Sequence, residues 1–249
     1  MGNLWKELEK LKSYRWVDLT HPLGNESPYW SGMPDGVLAL AETVMPYEEM
    51  NFCIQTFKFP GQLGTHIDFP AHFARGGKLC RDYGVKDFAL PLVVIDLSEK
   101  VKANADYEIT LDDIHEFEQE HGRIPEGSFV AMRTDWHTRW PSREALINAD
   151  ADGNGHSPGW TMEALRFLYQ ERGIAANGHE TFDTDAPITS HRVGDLQCER
   201  YVLDEGKFQL ELMANLDQCP PVGAIILIGV IRVEEANGLP VRAFAVCGD

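Results

Sequence analysis

Continuous apolar runs and alternating segments divide the chain into predicted strands and helices. Mostly apolar runs predict buried strands at residues 90–97, 129–134 and 224–233. Other strand-like segments lie at residues 15–19, 52–59, 174–178, 208–216 and 241–246. Helices are predicted at residues 3–13 and after the capping residues Thr110 and Thr161, whereas residues 25–47, which hold three prolines, are predicted to be irregular. The pattern predicts a mixed α/β fold in one domain spanning residues 1–249.

The densest group of reactive side chains follows a polar/apolar alternation within residues 61–73. Gln62, His66, Asp68 and His72 all fall on even positions. The odd positions from 63 to 73 carry Leu, Thr, Ile, Phe, Ala and Phe. Because side chains of an extended segment alternate between two faces, one face is expected to pack and the other to present imidazole, carboxylate and amide groups.

The length of this segment constrains what its polar groups can do together. A straight strand from Gln62 to Asp68 would span about 20 Å, too far for these side chains to share one ion. Either the groups serve different purposes, or the backbone turns sharply between them. Gly64 allows a turn because it has no Cβ atom, and Pro70 cannot continue a central strand. We expect a bend at Gly64 that returns His66 and Asp68 toward Gln62.

These residue types are the ones that metal-assisted hydrolysis requires. Neutral imidazole and carboxylate bind divalent cations directly. Such a cation lowers the pKa of a bound water and polarises a carbonyl group. A further histidine that does not bind the metal can transfer protons. Histidines in a proline-flanked loop are also common without a metal, so the spacing alone leaves an ordinary loop as the alternative.

Charge and cysteine content narrow the class of protein. The formal net charge of −17 would repel the phosphates of a nucleic acid, so we expect no nucleic-acid partner. The five cysteines contain no C-x-x-C pair, which favours reduced thiols in the cytoplasm. The N-terminus lacks the pattern of a signal peptide, and no apolar run is long enough to span a membrane. We therefore expect a cytoplasmic enzyme that acts on a small-molecule substrate.

The polar window also matches a known signature. It reads Gln62-x-Gly64-Thr65-His66-x-Asp68-x-Pro70-x-His72. This resembles H-x-G-T-H-x-D-x-P-x-H of the metal-dependent cyclase hydrolases, the family that contains bacterial kynurenine formamidase and isatin hydrolase. Only the first position differs. Residues 18–23, 132–136, 211–216 and 238–243 are similar to other segments of the family, so the resemblance extends over nearly the whole chain.

The resemblance implies a fold and a set of site residues. The fold is a layered β/β/α architecture, in which a mixed sheet curls toward a barrel. Gln62, His66 and Asp68 are implied to bind the metal ion. Glu211 is implied to complete the site, and His72 is implied to be the catalytic residue that transfers protons.

Two positions depart from the family pattern. Gln62 replaces a histidine, and Glu199 stands where members with two metals have another histidine. Oxygen ligands in place of these two imidazoles shift the preference of the site from Zn²⁺ toward Mn²⁺ or Mg²⁺. Among these ions, we expect Mn²⁺ or Zn²⁺. We expect one tightly held ion and a potential second site between Asp68, Glu199 and Glu211. His179 follows a predicted strand and is a candidate for lining the pocket or the second site, with an ordinary polar turn as the alternative.

Together, the residues and the resemblance predict a metal-dependent hydrolase. Its expected reaction is cleavage of a carbon–nitrogen bond in a small aromatic or cyclic amide. One alternative is a lactone or ester hydrolase with the same site, and another is a metal-free binding protein that retains only the fold. The resemblance also implies a homodimer or homotetramer.

Overall fold

The computed structural model describes residues 3–30 and 32–248. Its strands are β1 (Arg15–Asp18), β2 (Ala39–Met45), β3 (Ile54–Lys58), β4 (His66–Asp68), β5 (Ala89–Asp96), β6 (Phe129–Arg133), β7 (Ala176–His179), β8 (Phe208–Glu211), β9 (Ala224–Gly229), β10 (Gly238–Pro240) and β11 (Arg242–Cys247). Its α-helices are α1 (Leu4–Ser13), α2 (Tyr47–Met50), α3 (Ser98–Ala103), α4 (Leu111–His121), α5 (Arg143–Ile147), α6 (Met162–Arg166), α7 (Pro187–Val193) and α8 (Gln197–Asp204). Short 3₁₀ helices lie at Pro70–His72, Cys80–Asp82, Val85–Phe88, Trp136–Arg139 and Leu216–Gln218, and a π-helical turn, Phe167–Glu171, extends α6.

A mixed sheet organises these elements. Nine of the described strands follow the order β1-β11-β9-β5-β6-β7-β8-β4-β10. The strands from β5 to β8 run parallel, and the remaining pairs in this sheet are antiparallel. The sheet curls into a half-barrel. Strands β2 and β3 pair only with each other among the described residues and form a separate two-stranded sheet.

Two hydrophobic cores lie on opposite faces of the curled sheet. Phe129 and Ala131 of β6 join a core that is built mainly from strand residues. Val130 and Met132 of the same strand join the other core, which includes residues of α3, α4, α6 and α8. A strand buried on both faces has the continuous apolar sequence that predicted β6. The two cores confirm the predicted layered β/β/α fold with a partly barrel-like sheet.

The segments that sequence reasoning missed are mostly exposed or short. Residues 25–47 were expected to be irregular, but Ala39–Met45 forms β2. Both β2 and β3 are largely exposed, so neither shows a buried apolar face. Helix α1 forms where predicted, although Leu4 and Leu8 on its apolar side are exposed. Across residues 3–30 and 32–248, no helix has the length and apolar character that a membrane span requires.

Candidate metal centre

The backbone bends at Gly64, as predicted from the sequence. Gly64 adopts a φ of +57°, a left-handed conformation that glycine tolerates best. The three-residue strand β4 follows, and Pro70 then begins the 3₁₀ helix that carries His72. The bend brings Asp68 back to Gln62, whose Nε2 atom donates a hydrogen bond to Asp68 Oδ1 at 3.1 Å. The predicted return of Asp68 toward Gln62 is confirmed.

Strands β4 and β8 bring the first group of donor atoms together. Their antiparallel register places His66 opposite Glu211. His66 Nε2 lies 3.3 Å from Asp68 Oδ2 and 3.4 Å from Glu211 Oε2. All three residues are buried, and their donor atoms are close enough to hold one metal ion. The structure therefore gathers three of the predicted ligands, while ligation by Gln62 stays a prediction.

The donor chemistry of this group fits a divalent cation. His66 Nε2 and Asp68 Oδ2 are buried and have no hydrogen-bond partner among the described residues, an arrangement that is unfavourable unless another group binds them. Burial opposes a positive charge on His66, but the charges and hydrogen bonds of Asp68 and Glu211 outweigh it and raise the His66 pKa well above its ordinary value. The same carboxylates would stabilise a metal cation beside a neutral imidazole.

A second group of donors adjoins the first at Asp68. His72 Nε2 lies 3.7 Å from Glu199 Oε1 and 4.0 Å from Asp68 Oδ1. These three residues could also hold an ion. Burial and the negative charges of Glu211 and Asp68 raise the pKa of Glu199 well above its ordinary value, so a cation here would favour its ionised form.

The composition of this second group differs from the set expected from the sequence, and a second ion between Asp68, Glu199 and Glu211 stays a prediction. The sequence placed a second site between Asp68, Glu199 and Glu211. In the structure, His72 takes the place of Glu211 in that group. Helix α8 carries Glu199 and contacts both the 3₁₀ helix of His72 and strand β8, from which Glu211 faces His66.

Three further residues lie around the Oε1 atom of Glu211, either in direct contact with it or through Gln209. His179 is fully buried at the end of β7, with its Nε2 atom 3.4 Å from Glu211 Oε1. Gln209 Nε2 donates to the same Oε1 atom at 3.0 Å. Thr184 Oγ1 donates to Gln209 Oε1 at 2.7 Å. His179 therefore lies beside the site, outside both donor groups, and Gln209 and Thr184 are residues that sequence reasoning missed.

The donor cluster reaches solvent beside His72, whose side chain is 27% exposed. A cavity of about 430 Å³ lies elsewhere and is lined by other residues, among them Lys100, Asp113 and Arg133. Lys100 is paired with Asp113, and Arg133 is paired with Asp96. These charged groups neutralise one another, and the lining of this cavity contains none of the candidate metal ligands.

Comparison with known proteins identifies the class to which this fold and site belong. The Cyclase family model matches residues 17–186, and the chain belongs to the cyclase family. Isatin hydrolase of Roseibium aggregatum is 35% identical over 191 residues, which cover 74% of this chain and 70% of that protein. A kynurenine formamidase of Bacillus cereus is 32% identical over 234 residues, which cover 94% of this chain and 98% of that protein.

A solved structure extends the similarity to the complete fold. Isatin hydrolase A from Labrenzia aggregata, bound to benzyl benzoate, superposes with a TM-score of 0.89 at 34% identity, and the match covers 100% of both chains. The family resemblance predicted from residues 62–72 is confirmed.

Proposed function

We propose that this protein is a hydrolase that uses a divalent metal ion to cleave a carbon–nitrogen bond in a small aromatic or cyclic amide. The observation that carries the proposal is the meeting of His66 Nε2, Asp68 Oδ2 and Glu211 Oε2 beside the partly exposed His72. The relatives named isatin hydrolase and kynurenine formamidase support this reaction class and an aromatic substrate.

His66, Asp68 and Glu211 would hold the ion. A divalent cation in such a site supplies Lewis-acid polarisation of a carbonyl and lowers the pKa of a bound water. One imidazole and two carboxylates form a harder donor set than a site rich in imidazole, which favours Mn²⁺ over the other expected ion, Zn²⁺. The group of Asp68, His72 and Glu199 is the corresponding candidate for a second ion.

His72 is placed to move protons at the open side of the site. Its Nε2 atom is near Asp68 and Glu199, and its ring is the part of the cluster that reaches solvent. An imidazole can accept a proton from water and return it to a leaving nitrogen at neutral pH.

Two alternatives use the same residues differently. A lactone or ester hydrolase would need the same polarised carbonyl and the same proton carrier, so only the substrate separates it from an amidohydrolase. A metal-free binding protein would have no use for buried donors that lack hydrogen-bond partners among the described residues, such as His66 Nε2 and Asp68 Oδ2. That observation favours an enzyme over a binding descendant.

The test combines metal analysis with a matched substrate panel. Purified protein would be assayed for bound metal, then treated with a chelator and offered isatin, the formamide of kynurenine and a lactone of similar ring size. We expect a stoichiometric ion, loss of amide hydrolysis on chelation and recovery with Mn²⁺. Amide hydrolysis that survives complete metal removal would refute the mechanism. Exclusive turnover of the lactone would select the ester alternative, and absence of a bound ion together with inactivity after Mn²⁺ addition would select the binding descendant.

We also propose that the chain forms a homodimer or homotetramer through a hairpin surface, defined as residues 39–58. An isolated two-stranded sheet is marginally stable in water, yet β2 and β3 are largely exposed along their length. Several large side chains on this surface are about half exposed or more, namely Val44, Tyr47, Met50, Phe52, Ile54 and Phe57.

The occupant that fits the hairpin surface is a second copy of this chain. The exposed apolar side chains offer roughly 500–700 Å², close to the roughly 800 Å² that each partner contributes to a standard interface. A two-fold pair would cover the same surface on both copies at once. A cytoplasmic location and a small-molecule substrate complete the proposal, and the five free thiols agree with a reducing compartment.

A further inference from the structure

The two carboxylates of the first donor group are held in the same way. Asp68 directs Oδ2 toward His66 Nε2 at 3.3 Å, and its other oxygen, Oδ1, accepts a hydrogen bond from Gln62 Nε2 at 3.1 Å. Glu211 directs Oε2 toward His66 Nε2 at 3.4 Å, and its other oxygen, Oε1, accepts from Gln209 Nε2 at 3.0 Å. Each carboxylate therefore has one oxygen facing the candidate metal position and one oxygen bonded to an amide.

The fold fixes both amides independently of any ion. Gln209 lies opposite Asp68 in the register of β4 and β8, two residues before Glu211 on the same face. The ionised carboxylate of Glu211 only accepts hydrogen bonds, so the Gln209 nitrogen faces it, and the Gln209 amide oxygen accepts from Thr184 Oγ1 at 2.7 Å. Gln62 Nε2 rests over Gly238 of β10, where an added Cβ atom would approach it to 2.1 Å.

We propose that Gln62 and Gln209 are positioning residues, which restrict Asp68 and Glu211 to binding the ion through one oxygen each. The inference rests on the proposed function and assigns Gln62 a role different from the ligand role implied by the family resemblance. An ionised carboxylate only accepts hydrogen bonds, so the nitrogen of Gln62 faces Asp68. A carboxylate with both oxygens free can occupy two coordination positions, whereas single-oxygen binding leaves positions open for water and substrate.

The test uses apolar replacements of similar length. Gln62→Leu and Gln209→Leu remove the amide donor and add no charge. Gln218→Leu changes an exposed glutamine and is the matched control. Chelator-treated proteins would be titrated with MnCl₂ by calorimetry, and the carboxylate stretching bands of the Mn²⁺-loaded proteins would be compared by infrared difference spectroscopy.

We expect Gln62→Leu and Gln209→Leu each to weaken Mn²⁺ binding by about 10- to 100-fold, the range for residues that orient metal ligands. We also expect each variant to shift one carboxylate from single-oxygen toward two-oxygen binding in the infrared spectrum. Gln218→Leu should bind Mn²⁺ like the wild type. If Gln62 were itself a ligand, Gln62→Leu would lose affinity without changing the carboxylate bands, and that result would overturn its assignment.

Thr184→Val provides a second route if a leucine variant does not fold. It releases the Gln209 amide and also removes the longer contact from Thr184 Oγ1 to Glu211 Oε1 at 3.4 Å. Every proposed metal ligand stays in place, so its Mn²⁺ affinity should fall and its carboxylate bands should shift. Wild-type affinity and unchanged bands in Gln209→Leu and Thr184→Val would overturn the inference while leaving the proposed function intact. A wild-type protein that binds no Mn²⁺ and hydrolyses its substrate without metal would instead refute the proposed function, and the inference with it.

Discussion

His66 Nδ1 lies 2.8 Å from the carbonyl oxygen of Gly64. This contact makes Nδ1 the protonated nitrogen of a neutral ring and leaves the Nε2 lone pair directed at Asp68 and Glu211. The backbone turn therefore sets the orientation of the imidazole. The left-handed conformation of Gly64 aims its carbonyl at the ring, and the ring is thereby aimed at the donor cluster.

Gly64→Ala should damage both folding and metal binding. An added Cβ atom would come within 2.4 Å of Leu23 Cδ2, and the left-handed backbone is unfavourable for alanine by about 1 kcal/mol or more. We expect a lower free energy of unfolding in urea and weaker Mn²⁺ binding by calorimetry.

Gly76→Ala separates the backbone effect from the site effect. Gly76 also has a positive φ, of +80°, but an added Cβ atom would meet nothing within 4 Å. This control should lose stability through the backbone conformation alone and retain wild-type affinity for Mn²⁺. Equal Mn²⁺ affinity in Gly64→Ala and the wild type would contradict the role assigned to the Gly64 carbonyl.

Local sequence was sufficient to predict the bend and the donor types because both depend on neighbouring residues. Gly64 marks the turn, and the alternation around His66 marks a face rich in ligands. Pairing between distant strands is not encoded locally, so Glu211 was identified only through the family resemblance. Gln209 shares a face with Glu211 by simple alternation, and this was the one local signal for it. Its bond to Glu211 became visible only in the structure.

The missed elements have a different physical origin. Strand β2 is exposed, so it lacks the alternation that burial imposes on a sequence. Helix α8 presents the buried Glu199, a residue type that seldom marks a core-facing position. The meeting of His72 with Glu199 depends on how α8 packs against the 3₁₀ helix of His72, and local sequence does not encode that packing.

His72→Ala should separate metal binding from turnover. The side chain lies outside the first donor group, so we expect the main ion to remain bound. Loss of the proton carrier should lower kcat by about 10²- to 10⁴-fold. Metal content by elemental analysis and kcat on the best amide substrate would be measured on the same preparation.

The exposed His191 offers the matched control, since His191→Ala removes an imidazole from the surface and should retain full kcat. Asp68→Ala should lose metal and activity together. If His72→Ala hydrolysed the amide at the wild-type rate, the proton-transfer role would have to be assigned elsewhere.

Gly238→Ala should disturb the site through Gln62 while sparing the cores. An added Cβ atom would approach Gln62 Nε2 to 2.1 Å and Asp68 Oδ1 to 3.0 Å. The flexible amide can move away more easily than the strand, so we expect a folded protein with reduced Mn²⁺ affinity. Calorimetric titration beside circular dichroism would measure both properties. A folded Gly238→Ala protein with unchanged affinity would show that the position of the Gln62 amide is unimportant.

Phe57→Asp should disrupt the proposed assembly. Phe57 is 61% exposed on the hairpin surface, and a buried aspartate without a partner would be strongly unfavourable at an interface. Sedimentation velocity should show a smaller species than the wild type. Val85→Asp is the control, because Val85 is 88% exposed outside that surface and its replacement should leave the mass unchanged. A monomeric wild type, or an oligomeric Phe57→Asp protein, would contradict the proposed interface.

Asp113 should make a pH-dependent contribution to stability at the start of α4. Its buried carboxylate accepts hydrogen bonds from Thr110 N at 2.7 Å, from Thr110 Oγ1 at 2.8 Å and from Tyr107 at 3.0 Å, and it is paired with Lys100. Burial alone would raise the Asp113 pKa, but the bonds from Lys100 and Thr110 outweigh it and lower the pKa. A lowered folded-state pKa stabilises the protein above the unfolded-state pKa of about 3.9, and this contribution is lost as the pH falls through the folded-state value.

Asp113→Asn should therefore reduce the free energy of unfolding by about 1–3 kcal/mol at pH 7, with little change in that difference down to pH 5. Below about pH 4 the difference should shrink, because the unfolded wild-type chain takes up a proton at Asp113 while the folded carboxylate, with its lower pKa, still holds its charge. Urea unfolding of both proteins at pH 7, 5, 4 and 3 would measure it. Asp112→Asn, in the same turn but exposed, is the matched control for removing a negative charge near the helix N-terminus. If the two variants lost the same stability at every pH, the Asp113 network would contribute no more than its charge at the helix end.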